Sequence, residues 1–214
     1  MNICYTSRDF QPSSNKLDAN KYKFIGPSIS EGSIEADQTD YSKLAKPLVY
    51  VSLGTILSNN DFLEKCLIAF NDFKGSIVMA VGNSNLGNLA PIKQNFIVTD
   101  YVNQIGVLKN ADVFLTHGGM NSVLESLYFG VPLLVFPYHT EQKTVAKQVV
   151  RTGCGLLLKN IRSSTILKSV NAILENEQFK NNCLNFGKTL KEAGGSKQGV
   201  DEIFKFKLDR RITN

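Results

Sequence analysis

His117, Gly118, Gly119, Asn121 and Ser122 fall in one short stretch whose residue types suit an anion. Two consecutive glycines let a ligand approach the backbone with no Cβ in the way. A helix opening behind them, at Asn121 and Ser122, presents unpaired N–H groups and the positive end of its dipole. Ser122 adds a hydroxyl donor and His117 a ring N–H. A plainer account exists for each residue: a tight turn, a helix cap, a histidine satisfied by backbone at a strand end. Glu125 lies one helical turn beyond Ser122 and shares its face. The pattern is not the GxGxxG dinucleotide fingerprint, and it lacks the lysine of a P-loop.

The elements around this turn are legible from periodicity. Residues 112–116 form a short apolar run with β-branched and aromatic members, the pattern of a buried parallel strand. Val123, Leu124, Leu127 and Tyr128 mark the apolar face of the helix, and Gly130-Val131-Pro132 ends it. A strand over 133–136 and a polar loop from His139 to Gln142 follow. Upstream, the spacing predicts strands over 48–53, 76–81 and 95–99, with helices over 61–72 and 102–109. Downstream it predicts a helix over 142–151, a strand over 155–158, and helices over 163–174, 176–192 and 196–208, with Ser163 as an N-cap. Alternating strands and helices mean an α/β, Rossmann-like, doubly wound parallel sheet. In the usual order the chain reverses direction between its first and fourth strands, and ligands bind beyond the carboxyl ends there. Those ends are Ser52, Gly54 and Thr55 on one strand and His117 to Gly119 on the other. Two glycine turns distant in sequence therefore meet at one crevice. Residues 1–45 show little periodicity and read as linker and the remnant of an upstream domain, with a short strand at 22–25; 46–214 reads as the domain that holds the sheet and its crevice.

The run THGGMNSVLESLYFGVPLLVFP, followed by Glu141-Gln142, resembles the donor-binding signature of the UDP-sugar-dependent glycosyltransferases of the GT-B fold, closest to their bacterial macrolide-glycosyltransferase branch. VYVSLGT at 49–55 and YVNQIGVLKNADVFLTH at 101–117 extend the likeness. The resemblance implies one half of a GT-B fold that binds a UDP-sugar, UDP-glucose first among candidates, and needs no separate cofactor. It implies a diphosphate held by His117, Gly118, Gly119 and Ser122, with Ser52, Gly54, Thr55 and Asn121 beside it. It gives Glu125 to the ribose hydroxyls and Glu141 and Gln142 to the sugar hydroxyls. Tyr101, Val102 and Gln104 match the segment that stacks on and hydrogen-bonds the uracil. There the sequence departs from the commonest form: Tyr101 stands in place of tryptophan and Asn103 in place of proline. The family's catalytic base, a histidine paired with an aspartate, belongs to an N-terminal acceptor domain. No catalytic residue is therefore expected in this stretch, and a small-molecule acceptor is expected to be met through that domain or a partner chain.

Composition narrows the alternatives. At 214 residues the chain is one domain or slightly more, and 43% hydrophobic content supports a packed core. A net charge of +5, from 24 basic and 19 acidic residues, does not demand nucleic acid. Cys4, Cys66, Cys154 and Cys183 are scattered, with no CxxC, which argues against a zinc site and suits a reducing cytoplasm. No signal peptide follows Met1, and no apolar run approaches the ~20 residues of a transmembrane span. His139 with Glu141 is too little for a metal site. The face meant for a missing domain would be exposed and open to self-association. Two other readings remain at this point. A UDP-sugar epimerase would want carboxylates on both sides of the sugar. A non-catalytic nucleotide-sugar-binding module or truncated gene product would keep the crevice and lose the transfer.

Overall fold

The computed structural model describes residues 1–29, 37, 39–54, 59–82 and 93–212. In chain order the elements are β1 (Asn2–Cys4), β2 (Tyr22–Phe24), β3 (Leu48–Ser52), α1 (Asn60–Ala69), β4 (Ser76–Ala80), β5 (Phe96–Thr99), α2 (Gln104–Leu108) and β6 (Val113–Thr116). They continue with α3 (Met120–Tyr128), β7 (Leu133–Val135), α4 (Thr140–Arg151), β8 (Gly155–Leu157), α5 (Ser163–Leu174), α6 (Glu177–Glu192) and α7 (Gly195–Ile212).

β3 to β8 form one parallel sheet in the order β5-β4-β3-β6-β7-β8. Numbered within the sheet this is 3-2-1-4-5-6, the doubly wound Rossmann order. The strands are apolar on both faces because both are covered. Alternation sends Leu48 and Tyr50 of β3, Phe114 of β6 and Leu133 and Val135 of β7 into one core, shared with Val123, Leu124 and Leu127 of α3 and Val145 and Val149 of α4. Val49, Val51, Val113, Leu115 and Leu134 point the other way, onto Phe62, Leu63 and Cys66 of α1 and Ile166, Val170 and Ile173 of α5. Tyr50 and Phe114, neighbours across β3 and β6, stack with ring centroids 4.6 Å apart. The reversal of chain direction falls between these two strands, which are hydrogen-bonded from Val49–Val113 to Ser52–Thr116.

Several local expectations change. The strand expected at 22–25 is β2, and it has an unforeseen parallel partner in β1; Phe10 and Ile25 are fully buried, and the Gly195 N–H donates to Ile25 O at 2.7 Å. Ser163 does not cap α5; the N-cap is Arg162 and no side chain caps that end. α3 begins at Met120, before Asn121, with Gly119 as its N-cap, so Ser122 is not the cap. Cys154 and Cys183, far apart in sequence, are neighbours in the core, the Cys183 thiol donating to Cys154 O at 3.3 Å. No described helix is long and apolar enough to cross a membrane.

Candidate functional site

The two glycine turns meet as the topology requires. Gly54 leaves β3 with φ +77°, its N–H resting on Ser52 Oγ at 3.2 Å. Ser52 is buried and supports the turn from behind. Gly118 leaves β6 with φ +89°, and a Cβ there would stand 2.7 Å from Val135 Cγ1. Only glycine satisfies both that dihedral and that packing. The imidazole of His117 fills the gap between the turns: a Cβ on Gly54 would lie 3.0 Å from its Cε1, and one on Gly119 2.8 Å from its Nε2. The glycines thus make room for the histidine as well as for a ligand. Thr55 lies outside the described residues.

Burial lowers the pKa of His117 below the ordinary histidine value; Glu141 opposes the shift and His139 adds to it. The ring is therefore neutral at neutral pH, one nitrogen donating and one accepting. Its Nδ1 is buried and has no hydrogen-bond partner among the described residues. Buried polar atoms are rarely left so, and the exceptions gather at functional sites.

Leu53, Gly54, His117, Gly119, Met120, Asn121, Ser122, His139, Glu141 and Gln142 line a cleft of 440 Å³ at this point. Met120, Asn121 and Ser122 of the first turn of α3 line it, and no side chain caps that helix end, where backbone N–H groups lack partners within the helix. Asn121 and Glu141 are exposed on its rim. Gln142 is buried, and its Oε1 accepts from the N–H groups of Tyr138 at 2.8 Å and His139 at 3.1 Å. That leaves the amide N–H₂ of Gln142 as the part of its side chain free to meet a ligand.

Behind Ser122 a second group assembles. Gln104 Nε2 donates to Glu125 Oε2 and to Ser122 Oγ at 3.3 Å, and its Oε1 accepts from the Tyr50 hydroxyl at 3.1 Å. A carboxylate only accepts, so Glu125 fixes which way the amide faces. Ser122, Glu125 and Gln104 are thereby brought together although Gln104 belongs to α2. Burial raises the pKa of Glu125, partly offset by the Gln104 hydrogen bond. Tyr101 is half-exposed at the head of this segment, while the Val102 side chain is part of the core and offers a ligand only its backbone.

Asn103, the departure from proline, has a structural use. Its Oδ1 caps α2 by accepting from Gly106 N–H at 3.1 Å, and its own N–H donates to Asp37 Oδ2 at 2.6 Å. Proline could make neither bond. Asp37 carries no signal in the sequence, and with the partners 66 positions apart no local pattern could have found it.

The site thus offers backbone donors, a neutral imidazole and a hydroxyl for an anion, a carboxylate one turn deeper, and an amide with a carboxylate on the opposite rim. Among the described residues lining the cleft Glu141 is the one carboxylate, and Glu125 stands outside that lining, bonded to Gln104.

Comparison with known proteins agrees with this architecture. The uncharacterized UDP-glucosyltransferase YojK of Bacillus subtilis (strain 168) is 37% identical over 211 residues, 95% of this chain and 51% of that protein. The NDP-glycosyltransferase YjiC of the same organism is 33% identical over 210 residues, 96% of this chain and 53% of its own. In a solved structure, the glycotransferase of kitacinnamycin, the fold recurs with a TM-score of 0.86 at 27% identity, over 95% of this chain and 54% of that one. The chain spans about half the length of the curated relatives it matches, and its sheet is the Rossmann-like half of a GT-B glycosyltransferase. Residues 33–193, which hold both glycine turns and the cleft, match the family described as UDP-glucoronosyl and UDP-glucosyl transferase, and it is to this family that the chain belongs.

Proposed function

We propose that this chain is the donor-binding half of an inverting UDP-sugar-dependent glycosyltransferase, and that it needs an acceptor half to turn over. The observation that carries the reading is the packing of His117 between Gly54 and Gly119 at the open N-terminus of α3. The diphosphate lies along that turn, held by the backbone N–H groups of α3, by Ser122 and by His117. Glu125 takes the ribose hydroxyls, the Tyr101–Gln104 segment takes the uracil, and Glu141 with the Gln142 amide takes the hexose, glucose being the first candidate. In the reaction an acceptor hydroxyl oxygen attacks the anomeric carbon and the bond from that carbon to the β-phosphate oxygen breaks. The proton passes to a base outside this half. The donors around the diphosphate stabilise the charge that develops on the departing UDP. Exposed apolar side chains on α7, among them Ile203, Phe204 and Leu208, support self-association of the chain on its own.

Calorimetry with UDP and UMP tests the reading. Hydrogen bonds to charged groups contribute about 1.5–3 kcal/mol each. UDP should therefore bind at least about tenfold more tightly than UMP. Equal affinities would remove the diphosphate from the α3 turn.

A further inference from the structure

Asp37 and residues 39–44, upstream of the sheet, grip the segment that runs from Tyr101 into α2. Asp37 Oδ2 accepts from the Asn103 backbone N–H at 2.6 Å and from the Tyr41 hydroxyl, and its Oδ1 accepts from Thr39 N–H at 3.0 Å. Tyr41 is buried in the same core as Val102 and Val107, and a Cβ added to Gly106 would stand 3.5 Å from its ring. The 3-10 turn carrying it, Tyr41–Lys43, is closed by Asp40, whose Oδ1 accepts from Ser42 N–H at 3.2 Å. One carboxylate thus joins the chain upstream of the sheet to the backbone between Tyr101 and Gln104. Asn103 closes the other side by capping α2.

We infer that Asp37 is a positioning residue for nucleobase recognition. It sets the place of the 101–104 backbone, and with it the angle of the Tyr101 ring and the depth of Gln104. This rests on the donor-site reading above.

The geometry favours this over general support of the fold. The bond reaches one backbone N–H, at the residue between the two side chains given to the base. It uses the donor that proline at this position would lack. The carboxylate is also committed to the interaction: burial opposes its ionisation, yet the hydrogen bonds from Asn103, Tyr41 and Thr39 outweigh burial and lower its pKa. A half-exposed aromatic on a short loop gains little by stacking unless its backbone is fixed beforehand, because ordering the loop would subtract from the binding free energy.

The test is calorimetry of UDP, ADP and UMP with the parent chain, Asp37→Ala, Asp37→Asn and Tyr41→Phe. Asp37→Ala should lose about tenfold in its preference for UDP over ADP, the scale of one hydrogen bond to a charged group. Its preference for UDP over UMP, which reads the phosphates, should stay at the parental value. Asp37→Asn keeps an acceptor for Asn103 and should restore most of the base preference. A parental UDP-over-ADP preference in a folded Asp37→Ala overturns the inference. So does a loss that extends equally to UDP over UMP. Should Asp37→Ala lack the parental circular dichroism, Tyr41→Phe decides: it keeps the ring in the core and removes the hydroxyl that donates to Asp37. An unchanged base preference there overturns the inference as well. A parent chain that binds neither UDP nor UMP overturns the donor-site reading and the inference with it. UDP binding with an intact phosphate preference but no Asp37 effect overturns the inference alone.

Discussion

Glu125 is kept where its charge is least favoured. Burial raises its pKa, and the hydrogen bond from Gln104 reduces the shift without cancelling it. The unfolded chain releases this proton in the ordinary carboxylate range, the native chain at a higher pH. Between those two points the native state holds more protons, so stability falls as pH rises through the window. The favourable contribution is complete below the unfolded pKa and gone above the folded one. Glu125→Gln removes the ionisable group and keeps an oxygen for Gln104. At neutral pH it should therefore melt higher than the parent, and the advantage should vanish in the ordinary carboxylate range. UDP affinity should move the opposite way, by about tenfold, because a neutral amide accepts from ribose hydroxyls more weakly than a carboxylate. Melting curves at the two pH values with calorimetry at neutral pH check both parts. A variant with parental affinity and the melting profile predicted here would make Glu125 a buried acid of no consequence to the nucleotide. A residue that costs stability where it stands is the kind kept for binding.

At the level of elements, the start of α4 joins a structural bond to a binding surface in one side chain. Gln142 Oε1 accepts from two backbone N–H groups while its amide N–H₂ is left for the cleft. Gln142→Glu keeps both acceptor bonds and deletes the amide donor. It should melt near the parent yet lose affinity for UDP-glucose relative to UDP. Gln142→Leu leaves both N–H groups unpaired and should cost about 1–3 kcal/mol of stability. If Gln142→Glu binds UDP-glucose and UDP in the parental ratio, the residue is a helix anchor alone. This dual use was hidden from the sequence, where an acidic-Gln pair after a strand is equally a helix start and a sugar reader. The sheet was legible because its strands are continuous apolar runs broken by glycine turns, and the order of parallel strands follows from the right-handed crossovers between them. The meeting of Gly54 with His117 followed from that order. What stayed hidden is non-local or too short for periodicity. β1 and β2 have three residues each. The bond from Asn103 to Asp37 and the contact between Cys183 and Cys154 join residues that no spacing connects. The start of α3 was misread because Asn121 and Ser122 are good caps by type, whereas Gly119 takes the cap position through its backbone.

For the molecule as a whole, the cleft's contents set what it can do unaided. Its lining holds two histidines: His117, neutral and wedged between the glycine turns, and His139, exposed at the rim beside α4. The first is packed between Gly54 and Gly119, where we propose that it meets the diphosphate. The second is the N-cap of α4 and stands on the side of Glu141 and Gln142, which we give to the donor sugar. A placed general base contributes roughly 10²–10⁴-fold to such a rate. Holding the acceptor in line with the anomeric carbon contributes further, and that requires a wall on the far side of the sugar. We therefore predict that the 214-residue chain binds UDP but transfers little or no sugar. Transfer should appear when an N-terminal half from a related glycosyltransferase is added or fused. The measurement is UDP release from UDP-glucose with a panel of phenolic and macrolide acceptors, with and without that half. In the complemented enzyme His117→Ala should slow transfer through weaker hold on the leaving group, while His139→Ala should leave most of the rate. Robust acceptor-dependent turnover by the chain alone, surviving His117→Ala and lost in His139→Ala, would make His139 the base and the chain a complete catalyst.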